Sequence, residues 1–246
     1  MKLKLKKTDW TLQRIVYRDK AEEFEGLFFD GKDITLPLVV LFHEYLGMEQ
    51  HIIDKAMELA REGFKVFVAD LYGRKIRPRN HDEAYPHYRF LKENPLIMEK
   101  WARLSVDRAK ACVNPENHAG IALLGFSMGG WAALALAQSS LDIRLAISVY
   151  GYLNTLTHMD CISCDLLIIH GLKDKIVLRK DLVAFLDLAE NLGKNCEVVL
   201  YSSVGHGFCN PSLEPDLALG NFYDQHHFER SWHRITGALK QYKESE

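Results

Sequence analysis

A series of short strand-forming runs, alternating with helix-like segments, is the feature that most constrains how this chain can fold. Several of these runs are continuously apolar, which is typical of strands covered on both faces in a parallel sheet. The strand-helix-strand rhythm indicates crossover connections. The predicted strands are Leu38–Phe42, Phe64–Ala69, Ile121–Leu124, Arg144–Tyr150, Leu166–Ile169 and Glu197–Tyr201. We therefore predict an α/β fold with a mostly parallel central sheet and helices on both faces.

Helical periodicity fills the intervals between the strands. Apolar residues recur at helical spacing from Ile52 to Ala60, and Gly63 ends that helix. A longer helical stretch is interrupted at Asn94-Pro95, because proline disfavours a helical conformation in the residue before it. That interrupted stretch covers His81–Val113, and the other helices are predicted at Trp131–Ala137, Lys180–Leu192 and Tyr223–Lys243.

Two segments near the start of the chain, Leu12–Tyr17 and Phe24–Phe29, alternate apolar and polar residues on either side of Arg18-Asp19-Lys20. This alternation is typical of half-exposed antiparallel strands. We expect an antiparallel N-terminal pair at the edge of the sheet. The chain has 246 residues and no internal repeat, low-complexity segment or linker, so we predict a single domain over residues 1–246.

Composition excludes several classes of partner. Charged residues make up 26% of the chain and the net charge is −2, which does not favour nucleic acid. The basic N-terminus, Met1–Lys7, is not followed by the apolar stretch of a signal peptide, and no segment reaches the roughly 20 apolar residues of a membrane span. We expect no membrane partner and a cytoplasmic location; the oligomeric state stays open.

Five cysteines are scattered along the chain, an odd number that predicts free thiols. Cys161 and Cys164 have the C-x-x-C spacing of metal or redox sites. A zinc site would require a second such pair, and the sequence has none. We interpret the two residues as ordinary thiols at the start of a strand and predict no metal.

The stretch Gly125-Phe126-Ser127-Met128-Gly129-Gly130 lies between a strand-like run and an uncharged, helix-like run. In a G-x-S-x-G turn with this context, the serine occupies a sharp bend from strand to helix and projects its hydroxyl above the sheet. We predict that Ser127 is a nucleophile. The alternative is a tight glycine turn whose serine caps the helix.

A serine nucleophile needs a base, and the base needs an orienting acid. Asp174 follows one predicted strand, and His206, flanked by Gly205 and Gly207, follows the next. The carboxyl ends of parallel strands share one edge of the sheet, where ligands bind. We therefore predict Ser127, Asp174 and His206 as a catalytic triad. A surface-loop histidine and a helix-capping carboxylate are the alternatives for His206 and Asp174.

Other acids and histidines fit the order less well. His43 and His170 also follow strands, but one precedes the serine and the other precedes the acid, so we predict supporting roles for them. His118, Asp142 and Asp165 fall before strands, at the opposite edge of the sheet.

Acyl transfer also requires donors for the oxyanion. These are expected to be the backbone N–H after the nucleophile and one from the loop after the early strand. In this chain they are the N–H groups of Met128 and Tyr45.

With these motifs in place, the chain resembles the dienelactone hydrolase family from about residue 20 onward. The resemblance rests on His43-Glu44-Tyr45-Leu46-Gly47, Val68-Ala69-Asp70-Leu71-Tyr72-Gly73, the Ser127 turn, Gly171-x-x-Asp174 and Gly205-His206-Gly207-Phe208. It implies an α/β-hydrolase fold, no metal or organic cofactor, and hydrolysis of a small-molecule ester or lactone through an acyl-enzyme.

The chain departs from the family pattern at the nucleophile. Dienelactone hydrolase carries a cysteine there, with a glutamate matching Glu44 that interacts with the thiol. Beside Ser127, Glu44 is expected to orient the turn, position water or bind substrate, or else to be a carboxylate held at a helix start. The characterised enzyme holds a substrate carboxylate with arginines; Arg74, Arg77 and Arg79 follow a strand here, as candidates for that role or as a solvated basic loop.

The sequence thus predicts a serine hydrolase that cleaves an ester or lactone. Acyl transfer or peptide cleavage by the same triad is an alternative, because the fold does not fix the acceptor. A ligand-binding protein without catalytic activity is the alternative from another class.

Overall fold

The structure is a computed structural model that describes residues 10–114, 119–139, 142–154 and 158–243. One sheet of eight strands runs through it, in the order β1-β2-β4-β3-β5-β6-β7-β8. The strands are β1 (Thr11–Asp19), β2 (Glu22–Asp30), β3 (Leu38–Phe42), β4 (Lys65–Ala69), β5 (Ile121–Phe126), β6 (Ile143–Val149), β7 (Asp165–Gly171) and β8 (Cys196–Tyr201).

Strands β3 to β8 are parallel to one another, whereas β1 and β2 form an antiparallel extension that joins β4. The expected N-terminal pair is therefore present. Strand β2 is more buried than its alternating sequence suggests, because it lies between β1 and β4 rather than at the edge.

Six α-helices within the described ranges connect and cover the strands. They are α1 (Gln50–Arg61), α2 (His81–Glu93), α3 (Pro95–Lys110), α4 (Met128–Ala137), α5 (Arg179–Asn191) and α6 (Gln225–Lys240). The break between α2 and α3 falls at Asn94-Pro95, where the sequence predicts it. Asp224 directly precedes α6, and its side chain accepts a hydrogen bond from the His227 N–H and caps the helix. No helix among the described residues is both long and apolar enough to cross a lipid bilayer.

Two apolar layers lie on opposite faces of the sheet. On β3, Leu38, Val40 and Phe42 contact the layer that contains α3, α4 and α5. The alternate residues Val39 and Leu41 contact the layer of α1 and α6. Both faces of the central strands are therefore removed from water, which explains why these strands are continuously apolar. The fold is the α/β-hydrolase fold, with an antiparallel edge on a mostly parallel sheet.

Candidate active site

The turn between β5 and α4 holds Ser127 in a strained backbone conformation, with φ of 50°. Glycines make the turn possible. A Cβ atom on Gly125 would lie 2.0 Å from the Gly129 carbonyl oxygen, and one on Gly129 would lie 2.3 Å from that of Phe42. The Ser127 N–H donates to the Val149 carbonyl at 2.9 Å, which anchors the turn to β6. The two glycines are thus a requirement of close backbone approach.

Three side chains are hydrogen-bonded in series at the carboxyl edge of the sheet. The Ser127 Oγ and His206 Nε2 atoms are 2.8 Å apart, and His206 Nδ1 lies 2.8 Å from Asp174 Oδ2. An ionised carboxylate can only accept, so we assign the imidazole proton to Nδ1. His206 Nε2 then accepts the hydrogen bond of the Ser127 hydroxyl. All three residues are buried.

Backbone groups hold Asp174 in place. Its Oδ1 atom accepts hydrogen bonds from the N–H groups of Ile176, at 2.8 Å, and Val177, at 2.9 Å. This leaves Oδ2 directed at His206. His170 Nε2 lies 3.7 Å from the same Oδ2 atom, and burial lowers the pKa of His170 against the opposite pull of Asp174. His170 thus lies behind the series, next to the acid.

The loop that carries Tyr45 is tied to the loop after β4. The His43 Nδ1–H donates to the Glu44 carbonyl at 2.7 Å, and His43 Nε2 accepts from the Leu71 N–H at 3.1 Å. The Tyr72 hydroxyl donates to the Tyr45 carbonyl at 2.7 Å. Burial lowers the pKa of His43, in keeping with a neutral ring that donates at one nitrogen and accepts at the other.

The two backbone groups predicted to face an oxyanion have free hydrogen-bonding capacity. Across the described ranges, neither the Met128 N–H nor the Tyr45 N–H donates to another protein group. Met128 is the first residue of α4, whose N-terminal dipole end favours negative charge. Tyr72 links the two positions, because its hydroxyl lies 3.6 Å from Met128 Sδ and also binds the Tyr45 carbonyl.

Glu44 is buried, and both oxygens of its carboxylate are hydrogen-bonded. Its Oε1 atom accepts the Tyr150 hydroxyl at 2.5 Å, and Oε2 accepts Asn210 Nδ2 at 2.9 Å. Burial by itself would raise the pKa of Glu44, but the nearby His51 imidazole and the Tyr150 hydroxyl lower it to about 2. The Tyr150 ring lies 5.0 Å from the His206 ring, so Glu44 is separated from the base by one aromatic side chain.

The three candidate arginines are engaged with acidic side chains. Arg74 pairs with Glu23 at 2.6 Å and also with Glu25, on β2. Arg77 lies 3.1 Å from the buried Asp70 carboxylate. Arg79 is 85% exposed and lies 3.5 Å from Glu83. Within the described residues, none of these arginines is hydrogen-bonded to Ser127, His206 or Asp174.

The less favoured acids lie where their sequence positions indicate. Asp165 begins β7 and Asp142 immediately precedes β6, at the amino edge of the sheet. His118 lies outside the described residues. All five cysteines are free, with Cys161 exposed and Cys164 buried, as the thiol prediction requires.

Aromatic side chains stand beside the Tyr45 loop. The Tyr45 ring contacts the Tyr88 ring of α2 at a centroid distance of 5.0 Å. The Tyr88 and Tyr152 hydroxyls are 2.6 Å apart, which joins α2 to the loop after β6. This contact brings the stretch after β4 and the stretch after β6 together, and residues 155–157 of the latter lie outside the described part.

Sequence reasoning missed the supporting roles of Tyr72, Tyr150 and Asn210. Tyr150 offered one signal, because it directly follows β6 at the carboxyl edge, where functional side chains collect. Its φ of 41° marks a second strained position beside the site. Asn210 had no signal of its own, since only the fold brings it to Glu44.

Comparison with known proteins adds family information to this geometry. The sequence model of the dienelactone hydrolase family matches residues 24–243. The chain is 28% identical to protein usf of Aquifex pyrophilus over 218 residues, covering 84% of this chain and 88% of that protein. It is 24% identical to a probable 2-oxo-3-(5-oxofuran-2-ylidene)propanoate lactonase of a Bradyrhizobium species over 186 residues, covering 70% of this chain and 73% of that protein.

Among solved structures, a dienelactone hydrolase-like promiscuous phosphotriesterase from metagenomic libraries superposes with a TM-score of 0.84. The two sequences are 21% identical, and the match covers 95% of this chain and 98% of the other. The likeness shows a shared fold along nearly the whole length of both chains.

Proposed function

The chain belongs to the dienelactone hydrolase family, and on that premise we propose that it hydrolyses a carboxylic ester or lactone through an acyl-enzyme on Ser127. His206 acts as the general base and acid, and Asp174 orients it. The N–H groups of Met128 and Tyr45 bind the oxyanion. The proposal needs no metal ion or organic cofactor in the chemical step.

The observation that carries this proposal is the continuous series Ser127–His206–Asp174, with a 2.8 Å separation at each step. The series includes a serine at a strained strand-to-helix turn, which is the geometry that exposes a nucleophilic hydroxyl. A buried imidazole with one nitrogen on a carboxylate and the other on a hydroxyl is arranged to accept the hydroxyl proton.

In the first half of the reaction, Ser127 Oγ attacks the carbonyl carbon while its proton moves to His206 Nε2. The carbonyl oxygen becomes an oxyanion bound by the two free N–H groups. The bond from the carbonyl carbon to the leaving oxygen then breaks, and His206 returns the proton to that oxygen. An ester releases an alcohol, whereas a lactone opens and stays attached as a hydroxyacyl group.

In the second half, water replaces the alcohol. His206 removes a proton from the water as it attacks the acyl carbon, and the tetrahedral intermediate collapses to expel Ser127 Oγ. The proton on His206 returns to the serine, and the product leaves as a carboxylic acid. Asp174 stabilises the imidazolium in both halves without taking the proton itself.

The ester or lactone substrate class follows from two considerations. The family name and the lactonase relative both describe ring-ester hydrolysis. The side chains of Tyr45, Tyr88 and Tyr152 offer aromatic contacts beside the predicted oxyanion loop. A panel of p-nitrophenyl esters of graded chain length, tested beside several lactones, would define the preferred acyl group.

A fluorophosphonate probe tests the nucleophile directly. We expect wild type to be labelled at Ser127 and Ser127→Ala to be unlabelled, with ester turnover reduced at least about 10³-fold. Ser203→Ala is the matched control, because Ser203 also contacts a histidine, with its Oγ atom 3.1 Å from His227 Nε2. The control should label and turn over like wild type.

The same experiment separates the alternatives. Well-folded wild type that takes no label would favour a binding protein without catalytic activity. Labelling with faster transfer to an added alcohol or amine than to water would favour an acyltransferase. Retained turnover in Ser127→Ala would remove this residue as nucleophile.

A further inference from the structure

A second cluster of chemically capable side chains lies behind the Tyr150 ring, outside the proposed catalytic series. Glu44 follows β3, and Glu49 and His51 lie at the start of α1; we call these three residues the carboxylate–imidazole cluster. One ligand atom from each, a carboxylate oxygen or a ring nitrogen, can be chosen so that all lie within 4.8 Å of one another. The proposed hydrolysis uses none of the three side chains directly.

The centre of this cluster is a buried histidine that lacks hydrogen-bond partners. His51 is 4% exposed, and neither of its ring nitrogens is hydrogen-bonded to another of the described residues. Its Nε2 atom lies 3.7 Å from Glu44 Oε2, and its Nδ1 atom lies 3.7 Å from Glu49 Oε2. Those separations are too long for hydrogen bonds. Glu49 Oε2 is also buried without a partner in the described part of the chain.

The other polar groups nearby do not satisfy these atoms. Asn210 donates to Glu44 Oε2 at 2.9 Å and leaves the His51 ring without a partner. The buried Lys55 ammonium donates to the Cys209 carbonyl at 3.1 Å and lies over the rings of Phe126 and Phe228. A ligand for the cluster must therefore bind a carboxylate oxygen and an imidazole nitrogen at the same time.

The charge of the cluster favours a cation. Two carboxylate oxygens, Glu44 Oε2 and Glu49 Oε2, each lie 3.7 Å from a ring nitrogen of the buried His51. Acidic oxygens brought together in a largely buried place are costly without an opposite charge. A divalent ion would offset both negative charges and bind the imidazole in its neutral form.

The distances suit a transition metal. With zinc–ligand bonds of about 2.0 to 2.1 Å, two ligands of a tetrahedral ion are about 3.3 Å apart. The observed nitrogen-to-oxygen separation of 3.7 Å requires movements of only a few tenths of an ångström at Glu44. An ion binds one nitrogen of the imidazole, here Nε2, whereas Glu49 faces Nδ1 and must make the larger movement. The Glu49 side chain is 20% exposed at the start of α1, which gives it room to do so. Imidazole together with carboxylate suits zinc, whereas magnesium prefers a shell of oxygen ligands.

We propose that Glu44, Glu49 and His51 bind one divalent transition-metal ion of the zinc class, as a structural site behind the catalytic series. The bound ion joins the loop after β3 to the first turn of α1. Because Glu44 precedes Tyr45, the ion also fixes the loop that carries one predicted oxyanion donor. The proposal is independent of the proposed hydrolase function, since its test measures metal binding and unfolding rather than turnover.

The test uses the full chain after treatment with a chelator and desalting. Isothermal titration with ZnCl₂ should give one bound ion per chain. At a hundredfold excess of free zinc over the dissociation constant, the melting temperature should rise by roughly 5 to 10 °C. Titration with MgCl₂ should show affinity at least about tenfold weaker.

Glu49→Gln is the decisive variant, because it keeps the size of a partly exposed side chain and removes its charge. We expect it to weaken zinc binding at least about tenfold while leaving the zinc-free melting temperature near that of wild type. His51→Asn should have the same effect on zinc. If this buried substitution prevents folding, Glu49→Gln decides alone. His226→Asn is the control, because His226 is exposed on α6 and is not one of the three residues of the cluster; it should bind zinc like wild type.

Three results would overturn the proposal. One is the absence of zinc binding by folded wild type. Another is a Glu49→Gln variant with wild-type zinc affinity. The last is loss of the bound zinc in His226→Asn, which would place the ion on the surface of α6.

Discussion

The described residues contain two Ser–His–Asp series whose hydrogen bonds are nearly alike. In one, Ser127, His206 and Asp174 are joined by separations of 2.8 and 2.8 Å. In the other, Ser203 Oγ lies 3.1 Å from His227 Nε2, and His227 Nδ1 lies 2.8 Å from Asp224 Oδ1. Both also follow the chain order serine, acid, histidine. The hydrogen-bond pattern and the chain order therefore do not distinguish the proposed catalytic series from the Ser203 series.

Their surroundings do distinguish them. Ser127 is 7% exposed, at a strained turn beside free backbone N–H groups at the start of α4. Ser203 lies in an exposed loop after β8, and its φ is not among the positive values of the described residues. In the buried series, low dielectric strengthens every charge interaction, whereas water competes for each group of the exposed series.

The acids also differ in what they hold. Both oxygens of Asp174 are used, one by His206 and the other by two backbone N–H groups that fix its orientation. Asp224 caps α6, and a single oxygen accepts both the N–H and the ring of His227. The exposed series is explained as helix capping, with a nearby serine added. The comparison teaches that backbone context separates two series with the same hydrogen-bond pattern.

Substitution of the acids should give the largest difference between the two series. Asp174→Asn removes the charge that stabilises the His206 imidazolium and changes its preferred tautomer, so we expect kcat for an ester to fall on the order of 10³- to 10⁴-fold. Asp224→Asn should leave kcat within about twofold of wild type and also keep the cap, since asparagine caps well. Equal losses in the two variants would remove the distinction; steady-state kinetics measures both.

A smaller effect is expected in the pH dependence of stability. Burial lowers the pKa of His170, which lies next to Asp174, so the unfolded state takes up a proton before the folded state does. The stability that neutral His170 contributes to the folded state is fully present above the unfolded pKa, near 6.5. It is lost as the pH falls below that value, by at most about 1.4 kcal/mol per pH unit.

Urea unfolding of wild type and His170→Gln between pH 7.5 and 5 measures this effect. In His170→Gln, the free energy of unfolding should decrease less steeply as the pH falls. His226→Gln, an exposed control beside the second series, should follow the wild-type curve. If the unfolding free energy of His170→Gln decreased as steeply with pH as that of wild type, His170 would not be the source of the effect.

The smallest effect is expected from removing the α6 cap. Asp224→Ala should lower the unfolding free energy by about 1 kcal/mol, because the N–H of His227 loses its acceptor. Ester turnover at a temperature well below unfolding should not change. Reduced kcat in this variant would mean that the exposed series contributes to catalysis, and thermal unfolding alongside kinetics separates the two effects.

Much of the fold could be predicted because burial leaves a clear trace in the sequence. The central strands are apolar on both faces, and the break at Asn94-Pro95 and the stop at Gly63 are local effects of single residues. The turn at Ser127 was recognisable because close backbone contacts within the turn and with β3 require its glycines. The places of Asp174 and His206 followed from strand ends, which a parallel sheet collects at one edge.

Other parts of the site could not be predicted. Glu44 was recognised from a family motif, but its contacts with Tyr150 and Asn210 join residues separated in sequence by 106 and 166 positions. The basic stretch after β4 looked available for an anion, whereas Arg74 and Arg77 are paired with carboxylates of β2 and of the loop after β4. Cysteine spacing predicted no metal; the proposed zinc site uses carboxylates and an imidazole with no such spacing.

By itself, the sequence determined the α/β class, the order of the elements, the strained serine turn and the sheet edge at which functional side chains collect. These depend on local propensity and on burial, both of which act residue by residue along the chain. Tertiary structure decided which carboxylates pair with Arg74 and Arg77, which side chains bind the Glu44 carboxylate, and which buried atoms lack partners among the described residues. Such outcomes depend on distances between segments far apart in sequence, and only the packed sheet and helices set those distances.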